Sequence, residues 1–258
     1  MTPKSFYKIG SFFYLIGLAE LAVLNFFLTD FAMTRPPALP QILQSINPLM
    51  AYVSGVILLG SIVLIFLDKY KTRAVWCIAI LIMLCATSRH FFGLWRQSVN
   101  ALKSLWLIGG AMLLLYNNPK YSKYGTALLW ANMVVLSIFF FDCSFAHFQF
   151  ADSVQNLIPS FIPFHLFFTY FAGVCLSAAG IGLLIPPIQK IAALLSGIQI
   201  FGWFLLLHIP LAFRVRGDEW IGIGESLAIA GICFMIFSIL TSEPAESSQK
   251  LVLPTPGK

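Results

Sequence analysis

The sequence predicts an all-α membrane protein of about eight transmembrane helices, arranged as two parallel-related four-helix bundles. Composition, a series of long apolar stretches and a similarity between the two halves carry this prediction. Of 258 residues, 59% are hydrophobic and 10% are charged, which is outside the range of ordinary globular domains. A spanning helix needs roughly 20 mostly apolar residues to cross a core about 30 Å thick. The chain is long enough for about eight such helices with short connections.

Polar and proline-containing segments separate the apolar stretches and mark the ends of the spans. The first apolar run follows Lys4 and Lys8 without the small-residue pattern of a cleavage site, so we expect it to remain as the first helix. The tail 241–258 is polar and contains prolines, and we expect it to be disordered and cytoplasmic. We predict helices at 9–30, 48–67, 74–90, 102–117, 125–147, 163–185, 188–209 and 220–240.

The distribution of Lys and Arg predicts the orientation, because basic residues near membrane ends are retained on the cytoplasmic side. An even number of spans puts both termini on one side. That side then carries ten basic residues and the other side six, which predicts cytoplasmic termini. The first set is Lys4, Lys8, Lys69, Lys71, Arg73, Lys120, Lys123, Lys190, Lys250 and Lys258. The second set is Arg35, Arg89, Arg96, Lys103, Arg214 and Arg216.

The distribution of charge excludes nucleic-acid binding, and the cysteine pattern indicates structural thiols. The net charge of +6 comes from basic residues scattered among apolar spans, which form no concentrated basic face and so exclude nucleic-acid binding. The cysteines are odd in number, widely spaced and without a CxxC pair, and we expect buried structural thiols. They are Cys77, Cys85, Cys143, Cys175 and Cys233.

The two halves of the chain are similar when they are compared segment by segment. AELAVLNFFLTDF from Ala19 aligns with ANMVVLSIFFFDC from Ala131. The even number of helices in each half predicts a parallel repeat, with units at 1–118 and 119–240. Chance similarity among apolar helices is the alternative. The paired positions include Glu20 with Asn132, Asp30 with Asp142, Tyr52 with Tyr170, His90 with His208 and Gly109 with Gly231.

All four histidines fall at the predicted outer ends of helices, and Glu225 lies about one turn inside the eighth helix. Imidazoles with a carboxylate can bind a Zn²⁺ or iron-type cation, ligate haem, or exchange protons and hydrogen bonds with a quinone headgroup. The alternative is an interfacial position without chemistry. The candidate outer-face site is His147, His165, His208, Trp220 and Glu225, of which the three histidines are the candidate metal ligands.

A second candidate is a mid-membrane polar site formed by Glu20 and its repeat counterpart Asn132. Intramembrane acids are costly and usually face the bundle interior, where they are paired or functional. One interpretation is a proton or substrate contact, and the other is an interhelical hydrogen bond made by the protonated acid.

A series of short motifs runs through residues 146–231. They are Ala146-His147-Phe148, LIPSFIPFH from Leu157, GIGLLIP from Gly180, AALL from Ala192, LLHIP from Leu206, Trp220 and Glu225-Ser226-Leu227. Through these motifs, residues 146–231 resemble the DoxX-like family of membrane proteins. The resemblance implies a redox-linked membrane role, since some members are similar to a membrane subunit of a thiosulfate:quinone oxidoreductase and others associate with redox-protection proteins. Relatives often have an acidic residue in the sixth helix, where this chain has Cys175-Leu176-Ser177.

Three functions therefore compete. The first is a quinone-associated redox or accessory role at the outer face, with a separate redox partner protein that supplies electrons because the chain has no dinucleotide fingerprint. The second is a small-molecule or lipid transporter, and the third is a non-catalytic assembly subunit. In each case we expect the bacterial inner (plasma) membrane.

Overall fold

The computed structural model describes residues 2–35, 37, 39–90, 98–215 and 217–242 of the chain. Within these residues the protein is all-α, without a β-strand. Its eight helices of 15 or more residues coincide with the eight predicted spans. They are α1 (Pro3–Leu28), α2 (Asn47–Phe66), α3 (Lys71–His90), α4 (Ser98–Leu113), α5 (Gly125–Gln149), α6 (His165–Leu184), α7 (Gln189–Trp203) and α8 (Ile221–Ser242). A π-helical turn (Phe204–His208) and a short α-helix (Ile209–Val215) continue α7.

Seven helical segments of the described chain are long and apolar enough to cross a membrane. The protein is therefore a multi-pass membrane protein. The remaining predicted span, 102–117, coincides with α4, which has 16 residues and is shorter than the roughly 20 that a span needs. Turns follow α4 as far as Asn117. The count of eight membrane crossings stays a prediction.

The beginning of α1 is set by local capping rather than by hydrophobicity. The Thr2 hydroxyl accepts a hydrogen bond from the Ser5 backbone N–H at 3.3 Å, and Pro3 occupies the first helical position, where its missing N–H is harmless. This cap starts α1 at Pro3 rather than at the predicted residue 9, and Lys4 and Lys8 belong to the helix. At its other end α1 stops at Thr29, which has a φ of 50°.

Consecutive long helices pack against one another along the chain, and α8 returns to pack against α1. A further contact joins α4 to α8. Each contact within the first four helices has a counterpart within the last four, and the α8–α1 contact corresponds to the α4–α5 contact. The division into units at 1–118 and 119–240 stays a prediction.

The last helix, α8, lies at the centre of the protein. Of its most apolar stretch, 89% is buried inside the protein, against 22 to 44% for the other six spanning segments. Hydrophobicity does not distinguish α8 from its neighbours, because lipid and a protein interior both favour apolar side chains. Its position is therefore a property of the tertiary structure.

Backbone contact between two pairs of glycines joins α1 to α8. A Cβ atom on Gly10 would lie 2.5 Å from the Gly231 carbonyl oxygen, and a Cβ on Gly231 would lie 2.5 Å from the Gly10 carbonyl oxygen. Gly17 and Gly224 face each other in the same way. In membranes, small residues let helices approach closely and gain van der Waals contact. We call these four residues the glycine seam.

Two expectations about single residues need correction. The tail was expected to begin at Thr241, but Thr241 and Ser242 belong to α8 because their hydroxyls donate to backbone carbonyls one turn earlier. Residues 243–258 lie outside the described part of the chain. Cys77 is exposed rather than buried, because the lipid-facing side of a spanning helix is as apolar as its packed side. Cys85 and Cys233 are buried as expected.

We expect Gly17→Ala to lower the free energy of unfolding by about 1–3 kcal/mol, because the added methyl group overpacks the glycine seam. The measurement is thermal unfolding of the purified protein in a mild detergent. Gly60→Ala is the matched control, since a Cβ at Gly60 meets no atom of the described structure within 4 Å. There the change removes only the helix cost of glycine, and the stability should be unchanged or higher. Equal free energies of unfolding for the two variants would contradict the close packing of α1 and α8 at the glycine seam.

Candidate functional site

A cluster of ionisable side chains lies where α1 ends and α8 begins, which is the outer end of the bundle in the predicted orientation. Five parts of the chain contribute to it: α1, the segment after α1, α4, the turn after α7, and the start of α8 with the turn before it. We call it the polar cluster. Its members are Glu20, Arg35, Lys103, His208, Glu219 and Glu225.

The most deeply buried ion pair of the polar cluster joins α4 to α8. Lys103 Nζ lies 2.6 Å from Glu225 Oε2, and the two side chains are 15% and 7% exposed. The other carboxylate oxygen of Glu225 accepts a hydrogen bond of 3.1 Å from the Arg35 backbone N–H. Both oxygens of Glu225 are therefore engaged, which offsets the cost of burying its charge. The predicted site residue Glu225 is thus the anchor of the cluster.

A second ion pair links the polar cluster to the surface. Arg35 Nη2 lies 2.5 Å from Glu219 Oε2, and these side chains are 33% and 23% exposed. Arg35 Nε is buried and has no hydrogen-bond partner among the described residues. Arg35 therefore links the two acids, because its side chain pairs with Glu219 and its backbone N–H donates to Glu225.

A set of hydrogen bonds on α3 holds the segment that carries Arg35. Arg89 donates from Nε to the Phe31 carbonyl oxygen and from Nη1 to the Pro37 carbonyl oxygen, each at 2.9 Å. Its Nη2 pairs with Asp30. Asn47 donates to Asp30 at 2.7 Å and accepts from the Phe31 N–H at 3.0 Å. We call this set the Arg89 clamp; it fixes the backbone that presents the Arg35 N–H to Glu225.

Glu20 follows Gly17 by one helical turn on α1 and packs against Gly224 of α8. A side chain at Gly224 would collide with Glu20 Oε2, so only glycine leaves room for this carboxyl group. Glu225 is close enough to act on Glu20 electrostatically. Both oxygens of Glu20 are buried. No described group makes a hydrogen bond of normal geometry to either oxygen, although the Gly224 backbone N–H lies close enough to act on the carboxyl group. Glu20 is therefore the least satisfied acid of the polar cluster.

The two residues of the predicted mid-membrane polar site, Glu20 and Asn132, lie at different helix interfaces. Glu20 belongs to the α1–α8 interface, whereas Asn132 lies between α4 and α5, where its Oδ1 occupies the space of a side chain at Gly109. Asn132 donates to the Leu128 carbonyl oxygen at 2.9 Å. Two residues that are aligned in the predicted repeat occupy equivalent positions in different halves. They therefore need not contact each other in the structure.

His208 reaches the polar cluster through an irregular turn. Residues Phe204–His208 form a π-helical turn, and Pro210 follows it. Because proline has no N–H to donate to the carbonyl four residues earlier, it disturbs the helical hydrogen bonds at this point. A Cβ on Gly222 would lie 2.7 Å from His208 Nδ1 and 2.8 Å from Arg35 Nη2. Buried Nδ1 of His208 has no partner among the described residues.

The other members of the predicted outer-face site lie elsewhere. His147 forms a 2.8 Å hydrogen bond through Nδ1 with the Cys143 carbonyl oxygen, and its ring stacks on Trp203 with the ring centres 5.8 Å apart. His165 forms a 3.2 Å hydrogen bond through Nε2 with the Pro159 carbonyl oxygen. Trp220 packs edge-on against an exposed phenylalanine. Of the five predicted outer-face residues, only His208 and Glu225 belong to the polar cluster.

The described residues contain no group of three or more His, Cys, Asp or Glu side chains that could hold a metal ion. His147, His165 and His208, the candidate metal ligands of the sequence, do not form such a group. The three histidines belong to different helical segments. A similar predicted depth in the membrane does not bring their side chains together.

Sequence reasoning missed Arg35, Lys103 and Glu219. Arg35 and Lys103 were used only to predict orientation, since basic residues near helix ends are common there. A signal was present in the sequence: Lys103 and Glu225 lie at similar depth inside two spans and have opposite charge, and buried charges in membranes are usually paired. Which basic group pairs with which acid depends on the contact between α4 and α8.

Comparison with known proteins adds no relative: no protein-family model, no curated protein and no solved structure matches the chain.

We expect Lys103→Met to lower the free energy of unfolding by about 3–5 kcal/mol, because it leaves the buried Glu225 charge without its partner. Adding Glu225→Gln to Lys103→Met should restore most of the loss, since the charge is then removed as well. Glu219→Gln is the comparison for a partly exposed pair and should cost less than about 1 kcal/mol. Thermal unfolding in detergent measures all of them. A double variant as unstable as Lys103→Met would argue against the pair.

Proposed function

We propose that the protein is a membrane subunit that exchanges protons at its outer face in a redox-linked, quinone-associated system. The observation that carries this proposal is Glu20, an acid whose two buried oxygens have no side-chain partner among the described residues and which lies beside the Glu225–Lys103 ion pair. An ionisable residue inside a membrane is a functional candidate when it faces the protein interior. A polar group that is buried and unsatisfied requires an explanation, and chemistry at that group is one.

The chemistry of the polar cluster suits proton exchange. The charges of Lys103 and Glu225 compensate each other, as do those of Arg35 and Glu219. Among the described residues no cation pairs with Glu20, so we infer that Glu20 is the carboxyl group that gains and loses a proton. From Glu20 the ionisable groups continue through Glu225 and Arg35 to Glu219, whose side chain is partly exposed. This order provides a polar connection between the buried acid and the outer surface.

The glycine seam supports access from the outer end. On the inner side of Glu20, α1 and α8 are in backbone contact at Gly17 with Gly224 and at Gly10 with Gly231. Such close packing leaves no room for water along this interface. On the outer side the neighbours of Glu20 are ionisable. A proton site open on one side fits chemistry at one membrane face.

The redox assignment rests on the resemblance to the DoxX-like family. A quinone carries protons and electrons together, and its headgroup oxygens accept and donate hydrogen bonds. Within the described part of the chain, Glu20, Arg35 Nε and His208 Nδ1 are the polar groups of the polar cluster without a side-chain partner, and they would hold such a headgroup. Electrons would come from a separate redox partner protein.

Transport of a small molecule or lipid is the second candidate. The contacts among α1–α4 recur among α5–α8, and parallel repeats of this kind occur in transporters, with sites near the repeat interface. In this case Glu20 would couple proton movement to opening of the glycine seam. A non-catalytic assembly role is the third candidate, in which changes to the polar cluster would alter stability alone.

We expect the wild-type protein, purified in a mild detergent, to retain a quinone that mass spectrometry of an organic extract and an absorption spectrum detect. Glu20→Gln and His208→Ala should each reduce the retained quinone about tenfold, the effect of one or two lost hydrogen bonds. His165→Ala is the matched control. It removes a histidine of the same predicted layer that contacts Pro159 rather than the polar cluster, and it should retain quinone.

A folded wild-type protein without quinone would overturn the redox assignment. The transport candidate then predicts that Glu20→Gln abolishes proton-driven uptake into vesicles containing the purified protein. If the two cluster variants behave like His165→Ala in both assays, the polar cluster is structural and the assembly role gains support.

A further inference from the structure

Two linkers at the other end of the bundle, where the chain begins, lie side by side. The first joins α2 to α3 through the 3-10 turn Asp68–Tyr70, and the second joins α4 to α5 through the 3-10 turn Pro119–Tyr124. Asn118 donates a hydrogen bond of 3.3 Å to the Thr72 hydroxyl, and Trp76 Nε1 donates one of 3.2 Å to the Tyr121 hydroxyl. The two linkers therefore form one surface.

This surface concentrates positive charge. Of the described residues 67–76 and 117–125, five are basic and only Asp68 is acidic. All five basic side chains are exposed or half-buried, and no salt bridge engages them within the described structure. We call them the basic linker patch. They are Lys69, Lys71, Arg73, Lys120 and Lys123.

Aromatic rings frame the basic linker patch at the level where the membrane helices end. Three lysines lie over the rings of the tyrosines that follow them in sequence: Lys69 over Tyr70, Lys120 over Tyr121 and Lys123 over Tyr124, at 4.8 to 5.6 Å from the ring centres. Phe66, the last residue of α2, is 68% exposed. Tyrosine and tryptophan collect at the boundary between headgroups and acyl chains.

We propose that the basic linker patch binds the headgroups of anionic phospholipids. Its cations complement a phosphate charge, its tyrosines stand at headgroup depth, and the exposed apolar side chains beneath them meet the acyl chains. The positive-inside pattern alone requires only that basic residues lie on this side. It does not require five of them on two linkers joined by side-chain hydrogen bonds. This inference does not depend on the proposed function.

Native mass spectrometry of the detergent-purified protein tests the proposal. The probes are phosphatidylglycerol, zwitterionic phosphatidylcholine, and glycerol phosphate, which has the headgroup phosphate without acyl chains. We expect wild type to bind phosphatidylglycerol at least tenfold more tightly than phosphatidylcholine. Replacing all five cations with glutamine should abolish this preference and weaken phosphatidylglycerol binding about a hundredfold or more, since each cation near an anionic surface contributes roughly a fivefold effect.

The matched control is Lys4→Gln with Lys8→Gln and Lys190→Gln, which removes cations from the same end of the bundle but outside the linkers. It should keep the preference. If the fivefold variant does not fold, Lys120→Gln with Lys123→Gln should reduce binding at least tenfold. Equal binding of the two phospholipids by wild type, or loss in the control as great as in the patch variant, would overturn the proposal. Glycerol phosphate binding as tight as that of phosphatidylglycerol would assign the patch to a soluble phosphate ligand instead.

Discussion

The close contact between the first and last helices is the constraint on which the rest of the structure depends. Because Gly10, Gly17, Gly224 and Gly231 carry no side chains, α1 and α8 meet backbone to backbone. This contact brings the two ends of the chain together and places α8 at the centre. It also places Glu20 beside Gly224 at the start of α8. The seam therefore determines both the fold and the composition of the polar cluster.

Two polar networks lie at the end of the bundle where α1 ends and α8 begins, and they differ in how completely their groups are paired. In the Arg89 clamp, the nitrogens of Arg89 bond to two backbone carbonyls and one carboxylate. Such a satisfied buried network makes a rigid connection. In the polar cluster, by contrast, Glu20 and His208 keep unpartnered atoms among the described residues. The clamp presents the Arg35 backbone to Glu225, so the fully paired network positions the one that keeps unpartnered atoms.

The predictable part of the site was the set of buried polar groups. Glu225 and Glu20 are identifiable because acids are rare and costly inside apolar spans. The contacts of these groups were not predictable. Glu20 and Asn132 correspond in the predicted repeat, but Glu20 packs against Gly224. The histidines predicted to lie in one layer also do not form one site. The depth of a residue along a helix follows from its sequence position, whereas the direction in which its side chain points depends on the neighbouring helices. In the sequence, Arg35 and Lys103 look like ordinary interfacial cations. Only their contacts with Glu219 and Glu225 in the structure identify them as members of the polar cluster.

The sequence by itself determined the class of protein, the positions of its long helices and the depth of its charged groups. The physical reason is local, since apolar length and capping residues act within one segment. Only the tertiary structure decided which helix lies at the centre, which charges pair and which acid stays without a partner. Those features depend on contacts between helices, and inside a membrane the apolar surfaces of all helices resemble one another. Small residues and buried charges, rather than hydrophobicity, select among those contacts.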